Sequence, residues 1–127
     1  MSQLNWQDYY PEFQKHEFDC KHTGLNNMTK EFMDKLHALR LAYNKPMIIS
    51  SGYRHPTHPE EAHKDVRGEH TYGECCDIAV GYEDAYELLR LAFEHGFIRI
   101  GVKQHDEGRF IHLGMSDKFP NPRVWSY

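Results

Sequence analysis

The sequence lacks both the long apolar runs of membrane proteins and the excess positive charge of nucleic-acid-binding proteins. No stretch approaches the ~18 apolar residues that a membrane span requires. Lys and Arg together number 15 against 19 Asp and Glu, which gives a formal net charge of −4. A basic field that would attract phosphate backbones is therefore absent. We expect neither a membrane nor a nucleic acid as a partner.

Cysteine is also scarce, and the first residues lack the features of a signal peptide. The three cysteines are Cys20, Cys75 and Cys76, an odd number with two of them adjacent. Such a set does not indicate a disulfide framework, and small buried side chains are the simplest interpretation. The N-terminus has neither a basic start nor an apolar segment. We expect cytoplasmic synthesis without a signal peptide.

The length and the periodicity of the chain predict one α+β domain covering residues 1–127, and we expect it to be a monomer. A chain of this length can bury a core without disulfide or metal cross-links. Apolar residues recur at helical spacing in 29–44 and 83–94. Four short apolar runs have the length and composition of strands: 47–53, 74–80, 97–102 and 110–115. Residues 54–69 show no periodicity and predict a surface loop.

Strand alternation separates polar from apolar side chains in this predicted sheet. Asp77 points to the face opposite to Ile78, and His112 points to the face opposite to Ile111 and Leu113. The two predicted helices can cover the apolar face, which leaves the other face as the floor of a cleft. An Asp in the middle of an apolar strand also requires a partner, because burying it alone is costly.

We expect two imidazoles and one carboxylate to lie together on the polar face of the predicted sheet. His70 and Asp77 are separated by six residues, and His112 lies in the last predicted strand. Two histidines and one aspartate match a catalytic zinc site with three protein ligands and an open position for water. The alternative is that His70 is a solvated loop residue and His112 a structural one. The joint pattern favours one zinc ion per chain.

Other residues near this site could serve a hydrolase. Arg54 follows the first predicted strand, and its planar guanidinium can hold a substrate carboxylate or a peptide carbonyl. A zinc hydrolase also needs a proton acceptor near its water. The segment before the last strand offers three candidates, His105, Asp106 and Glu107, and their spacing alone does not choose among them.

Four motifs in order resemble the D-Ala-D-Ala carboxypeptidase and L-alanyl-D-glutamate endopeptidase family of zinc peptidases, in particular its short phage and prophage members. They are S-G-Y-R at 51–54, H-x-x-G-x-x-x-D-I-A at 70–79, G-F-x-R-I-G-V at 96–102 and F-I-H at 110–112. The similarity covers about residues 12–127. It implies zinc ligation by His70, Asp77 and His112, substrate binding by Arg54, and a Hedgehog-like fold with a small antiparallel sheet and helices on one face.

The chain departs from that family at several positions. Cys75 stands where Ala is usual, and Gly68-Glu69 where a Ser is common before the first ligand. Gly114 replaces an Asp found in close relatives, and Arg109 replaces a Glu found in others.

The family resemblance also ranks the candidate catalytic bases and suggests a function. In some members of the family the base lies five or six residues before the last histidine. Here those positions are Glu107 and Asp106, and Glu107 is the first candidate. The implied function is hydrolysis of peptidoglycan stem peptides in phage or prophage lysis or wall remodelling, by a protein that acts at the cell wall after release or as a virion component. A catalytically inactive, zinc-stabilised binding module of the same fold is the alternative. A cysteine hydrolase is disfavoured, because the strand around Cys75 and Cys76 offers no histidine held against the thiol.

Overall fold

The first long helix begins and ends at residues that satisfy its terminal backbone groups. The computed structural model describes residues 4–127. Helix α1 (Lys30–Tyr43) begins after Thr29, whose side chain accepts a hydrogen bond from the Phe32 backbone N–H, and ends at Asn44 in the left-handed conformation. A one-turn helix, α2 (Pro59–Ala62), lies in the predicted loop, and α3 is Tyr82–Glu94. The helices predicted at 29–44 and 83–94 are confirmed within one residue of each cap.

Five strands form one sheet with the order β1-β2-β4-β3-β5. The strands are β1 (Ile48–Ser51), β2 (Cys75–Ala79), β3 (Arg99–Lys103), β4 (Phe110–Gly114) and β5 (Arg123–Ser126). Neighbouring strands are antiparallel, except that β5 runs parallel to β3. The sheet is therefore mixed, whereas the family resemblance implied an antiparallel one. The strand β5 was not predicted, because two prolines precede it closely and no hairpin signal connects it to a partner.

The apolar face of the sheet packs against α1 and α3. Four side chains from the three central strands are at most 1% exposed: Ile78, Ile100, Ile111 and Leu113. They form one core with the inward residues of both helices and with Tyr9, Phe13 and Phe18 of the N-terminal segment. This arrangement confirms the α+β class with the longer helices on one face. Within residues 4–127, no helix is long and apolar enough to cross a bilayer.

The opposite face of the sheet carries the polar residues. Asp77 on β2 lies directly across from His112 on β4, and Gly101 on β3 is the next neighbour of His112. A Cβ at position 101 would lie 2.5 Å from the Trp125 indole nitrogen. The glycine therefore lets the Trp125 side chain lie across the strand, where its ring centroid is 5.2 Å from that of His112. The indole forms one wall of the cleft above the polar face.

Candidate metal centre

Three elements bring the predicted ligands together. His70 lies in a 3₁₀ turn (Glu69–Tyr72) just before β2, Asp77 on β2 and His112 on β4. The Nε2 atom of His70 is 3.4 Å from Asp77 Oδ2, and the Nδ1 atom of His112 is 2.8 Å from Asp77 Oδ1. All three residues are at most 7% exposed. The structure thus places the three residues named from the sequence in one buried cluster.

A backbone carbonyl just after β1 fixes the orientation of the His70 ring. Its Nδ1 atom lies 2.8 Å from the carbonyl oxygen of Gly52. A carbonyl can only accept, so Nδ1 carries the proton and Nε2 of the neutral ring has a free lone pair. That lone pair faces Asp77, so His70 and Asp77 can bind the same metal ion.

The charges of the cluster are complementary. Burial opposes ionisation of Asp77, but hydrogen bonds with His112 and His70 outweigh it and hold the pKa of its carboxyl well below the usual range. Burial likewise opposes a charged His112, but hydrogen bonds with Asp77 and Glu69 outweigh it and raise the pKa of its imidazole. Each ring nitrogen of His112 thus faces a carboxylate, which favours the protonated imidazole, and a divalent cation would satisfy the same negative charges.

The donor set fits a zinc ion. Zinc-to-ligand distances of about 2.0–2.2 Å place two donors on a tetrahedral ion roughly 3.3–3.6 Å apart. The separation of His70 Nε2 from Asp77 Oδ2, 3.4 Å, is in that range. The 2.8 Å separation of His112 from Asp77 is a hydrogen-bond length, and this is the bond that a metal ion would replace. His70, Asp77 and His112 are the residues that would hold zinc.

A thiol is the fourth potential donor. Donor atoms of His70, Cys75 and His112 lie within 4.8 Å of one another, and alternation along β2 places Cys75 on the same face as Asp77. Burial, with the negative charges of Glu69 and Asp77 nearby, raises the pKa of the Cys75 thiol well above its usual value. Without metal, Asp77 is already ionised whereas burial opposes ionisation of the Cys75 thiol, which favours Asp77 as the third ligand.

Arg54 lies at the edge of this cluster. One guanidinium nitrogen is 3.4 Å from Glu61 Oε2, and another is 3.9 Å from Asp77 Oδ2. Its side chain is 22% exposed and lines the cleft. Glu61 is buried and also contacts Lys64 and the Gly68 N–H. The α2 segment therefore fixes the guanidinium while leaving part of it accessible to a ligand.

The cleft above the cluster has a volume of about 360 Å³ and is large enough for a short peptide segment. It is lined by Arg54, Glu60, Lys64, Glu69, His70, Asp77, Arg99, Phe110, His112, Phe119, Trp125 and Tyr127.

The carboxylates predicted as bases lie elsewhere, on the hairpin between β3 and β4. Asp106 has a positive φ of 56° and a side chain that is 88% exposed, and Glu107 is exposed too. Neither lines the cleft. The structure does not bring them to the predicted ligands, so their catalytic role stays a prediction from the sequence. The exposed carboxylate that does line the cleft is Glu60 on α2.

Sequence reasoning missed three residues that complete the site: Glu69, Arg99 and Trp125. Glu69 is buried with its carboxylate on His112, and Arg99 forms an ion pair with that carboxylate and stacks between Phe119 and Trp125. Glu69 was noted only as a departure from a family motif. Arg99 belongs to the motif at 96–102 but was given no role there, and Trp125 lies on β5, a strand that was not predicted.

Comparison with known families identifies the family of the chain. A family model described as Peptidase M15 matches residues 10–114. The chain belongs to the peptidase M15 family. The matched part of this M15 chain contains Arg54, His70, Asp77 and His112 and ends before β5. Membership places the chain among peptidases, which are hydrolases, and confirms the family inferred from the motifs. No curated protein matches the chain.

Proposed function

We propose that this M15 chain is a zinc-dependent peptidase that hydrolyses peptidoglycan stem peptides, as a carboxypeptidase or an endopeptidase. The observation that carries the proposal is the convergence of His70, Asp77 and His112 at the floor of a cleft that also contains Arg54. Family membership supports peptidase chemistry, and the donor set supports the metal. The short phage and prophage members that the motifs resemble supply the substrate class.

The residues of the cleft have different roles in the proposed peptide hydrolysis. A zinc ion bound to the cluster would polarise the scissile carbonyl and lower the pKa of water. His70, Asp77 and His112 would hold the ion at the floor of the cleft, where a water and the substrate can reach it. The Arg54 fork can bind a carboxylate in bidentate fashion, and stem peptides carry free carboxylates beside their D-residues. The walls formed by Phe119, Trp125 and Tyr127 narrow the cleft around the peptide.

A proton acceptor is the remaining requirement, and we propose Glu60 for it. Its side chain is exposed at the cleft, on the one-turn helix α2 that also anchors Arg54 through Glu61. A general base must lie within hydrogen-bond reach of the proton it takes, directly or through one water. Glu107 and Asp106 keep this role as the prediction from the sequence, and they would have to reach the cleft through movement of the hairpin.

Digestion of purified muropeptides by the zinc-loaded protein, read by mass spectrometry, tests the proposal. The product masses identify the bond that is cut, and addition of a chelator should stop the reaction. His112→Ala, which removes one ligand, should lose most of the zinc found in wild type and produce no cleavage. Full zinc retention by His112→Ala would refute the ligand assignment.

A binding module of the same fold is the second candidate, favoured by the position of the hairpin carboxylates outside the cleft. It predicts that the zinc-loaded protein binds stem peptides through Arg54 and releases no product. Isothermal titration with muropeptides separates the two, because a peptidase shows turnover and a binding module shows only saturable binding.

The proposal also includes where the protein acts and its oligomeric state. We propose that the protein acts on the cell wall as a monomer, after release during phage or prophage lysis or as a virion component. The resemblance of the motifs to those of short phage and prophage enzymes supports this setting. Size-exclusion chromatography with light scattering measures whether the protein is a monomer. Lysis of intact bacteria after the purified protein is added to them tests whether it reaches the wall from outside.

A further inference from the structure

One buried carboxylate at the cleft has no role in the proposed function so far. Glu69 is 6% exposed. Its Oε1 atom lies 2.7 Å from His112 Nε2 and 3.1 Å from Arg99 Nε, and its Oε2 atom accepts a hydrogen bond of 3.2 Å from the Ser116 backbone N–H. A buried carboxylate with three partners from separate segments has a fixed position.

The position of this carboxylate depends on a glycine two residues after His112. A Cβ built at Gly114 would overlap the Glu69 carboxyl group, at 2.7 Å from its carbon and 2.8 Å from Oε1. Real Cβ atoms do not approach other atoms so closely. The volume that a side chain at position 114 would enter is therefore filled by the carboxylate of Glu69, delivered from a different segment of the chain.

The two ring nitrogens of His112 consequently face two different carboxylates. Nδ1 faces Asp77 at 2.8 Å, and Nε2 faces Glu69 at 2.7 Å. A histidine that binds a metal through one nitrogen usually donates the other N–H to an oxygen, and this outer bond fixes the tautomer and the ring orientation. Without metal, Nδ1–H also donates to Asp77; once a metal replaced that proton, the bond to Glu69 would keep the remaining proton on Nε2 and leave the Nδ1 lone pair for the metal.

We propose that Glu69 is the positioning residue that presents His112 Nδ1 to the metal, and that Gly114 is required because it leaves room for the Glu69 carboxylate. The proposal rests on the metal centre inferred above. A purely structural role, in which Glu69 only joins the 3₁₀ turn to Arg99 and the Ser116 loop, makes a different prediction. It requires loss of stability but no specific change in how His112 binds zinc.

The first measurement is zinc affinity by competition with a chromophoric chelator. Glu69→Ala should bind zinc about 10- to 100-fold more weakly than wild type, the usual effect of removing an outer-shell partner. Glu61→Gln is the matched control, because Glu61 is equally buried and lies in the neighbouring segment but does not contact either histidine ligand. Its zinc affinity should equal that of wild type.

The second measurement relocates the carboxylate. Gly114→Asp in the Glu69→Ala background returns a carboxylate to the same volume, beside His112 Nε2, and should restore most of the zinc affinity. Gly114→Asp alone forces two carboxylates into one space and should lower the thermal stability. Imidazole ¹⁵N spectra of the zinc-loaded proteins should show a protonated Nε2 of His112 in wild type and in the double variant.

The possible results distinguish failure of the positioning role of Glu69 from failure of the metal centre itself. A folded Glu69→Ala protein with wild-type zinc affinity and an unchanged His112 signal overturns the positioning role and leaves the metal centre intact. The same holds if Glu69→Ala loses affinity and the relocated carboxylate restores none of it in a folded double variant. A wild-type protein that takes up no zinc overturns the metal centre, and the positioning role with it.

Discussion

At the scale of single residues, the ionisation of Asp77 and His112 couples the buried cluster to pH. The pKa of Asp77 is lowered in the folded protein, so its contribution to stability is present above the ordinary carboxyl pKa and is lost in strong acid. The pKa of His112 is raised, so without metal its contribution is present below the ordinary imidazole pKa and is lost as pH rises through the raised value. Bound zinc would reverse the pH dependence that comes from His112, since metal binding to Nδ1 requires that nitrogen to lose its proton.

We predict that zinc affinity falls as the pH is lowered, beginning at a higher pH than an ordinary histidine would give. A proton on His112 is stabilised by Asp77 and Glu69 and competes with the metal for Nδ1. Chelator competition over a pH series measures the effect. An affinity that stays constant from mildly alkaline to mildly acidic solution would contradict the assignment of His112 as a ligand.

Cys75 should remain outside the coordination shell. Burial beside two carboxylates raises the pKa of its thiol, so the ionised form that binds metals is disfavoured. Cobalt-substituted protein should therefore lack a thiolate-to-metal charge-transfer band, and Cys75→Ala should leave the cobalt spectrum unchanged. Cys76→Ala is the control, because Cys76 is equally buried but points into the core. A band that disappears only in Cys75→Ala would show a fourth protein ligand.

Arg54→Lys should retain zinc while losing most of the turnover. The lysine can still pair with Glu61, but a point charge cannot reproduce two parallel hydrogen bonds to a substrate carboxylate. Steady-state kinetics on muropeptides and metal analysis measure the two effects. Arg67→Lys is the control in the same segment, since Arg67 contacts Thr71 and does not line the cleft. Normal turnover in Arg54→Lys would argue against substrate binding by this residue.

At the scale of elements, the sequence predicted those parts of the fold and site that depend on local pattern. Alternation along β2 and β4 predicted that Asp77 and His112 share a face, and the register places them opposite each other. Helix α1 was recognisable from its Thr29 cap and apolar spacing. The position of Glu69 could not be predicted, because it depends on Gly114 and Ser116, which lie about 45 residues further along the chain.

The hairpin between β3 and β4 shows why the base was difficult to predict from spacing. Closeness to His112 in sequence suggested that Glu107 would return over the metal. In the structure, Lys103 and Phe110 are the last paired residues of β3 and β4, and the Glu107 carbonyl accepts a hydrogen bond from the Lys103 side chain. The hairpin therefore extends beyond the strand ends into solvent. The polar segment 54–69, in contrast, folds over the cleft through α2.

We predict that Glu60→Gln lowers turnover by about two to four orders of magnitude, the usual contribution of general acid–base catalysis. Zinc binding should persist, since Glu60 contacts no proposed ligand in the structure. Glu107→Gln and Asp106→Asn are the comparison variants and should retain activity near that of wild type. If Glu107→Gln is inactive and Glu60→Gln is normal, the hairpin must move to the cleft during catalysis.

At the scale of the whole molecule, the sheet separates stability from chemistry. Its apolar face packs against α1, α3 and the N-terminal segment, while the opposite face buries Asp77, His112 and Glu69 under Trp125 and the 3₁₀ turn. On the polar side, Glu69 joins the 3₁₀ turn to His112, Arg99 and Ser116, and His70 contacts Asp77. A bound metal ion would therefore connect β2, β4 and the turn that carries His70.

The last prediction follows from this connection: zinc should raise the thermal stability of the whole domain. A ligand that binds only the folded state stabilises it by about 2.7 kcal/mol at a concentration 100-fold above its Kd, which corresponds to a rise in Tm of several degrees for a domain of this size. Differential scanning calorimetry with added zinc, or with chelator, measures the shift. His112→Ala should fold but show no zinc-dependent shift, because it lacks one of three ligands. An equal shift in both proteins would place the zinc elsewhere in the molecule.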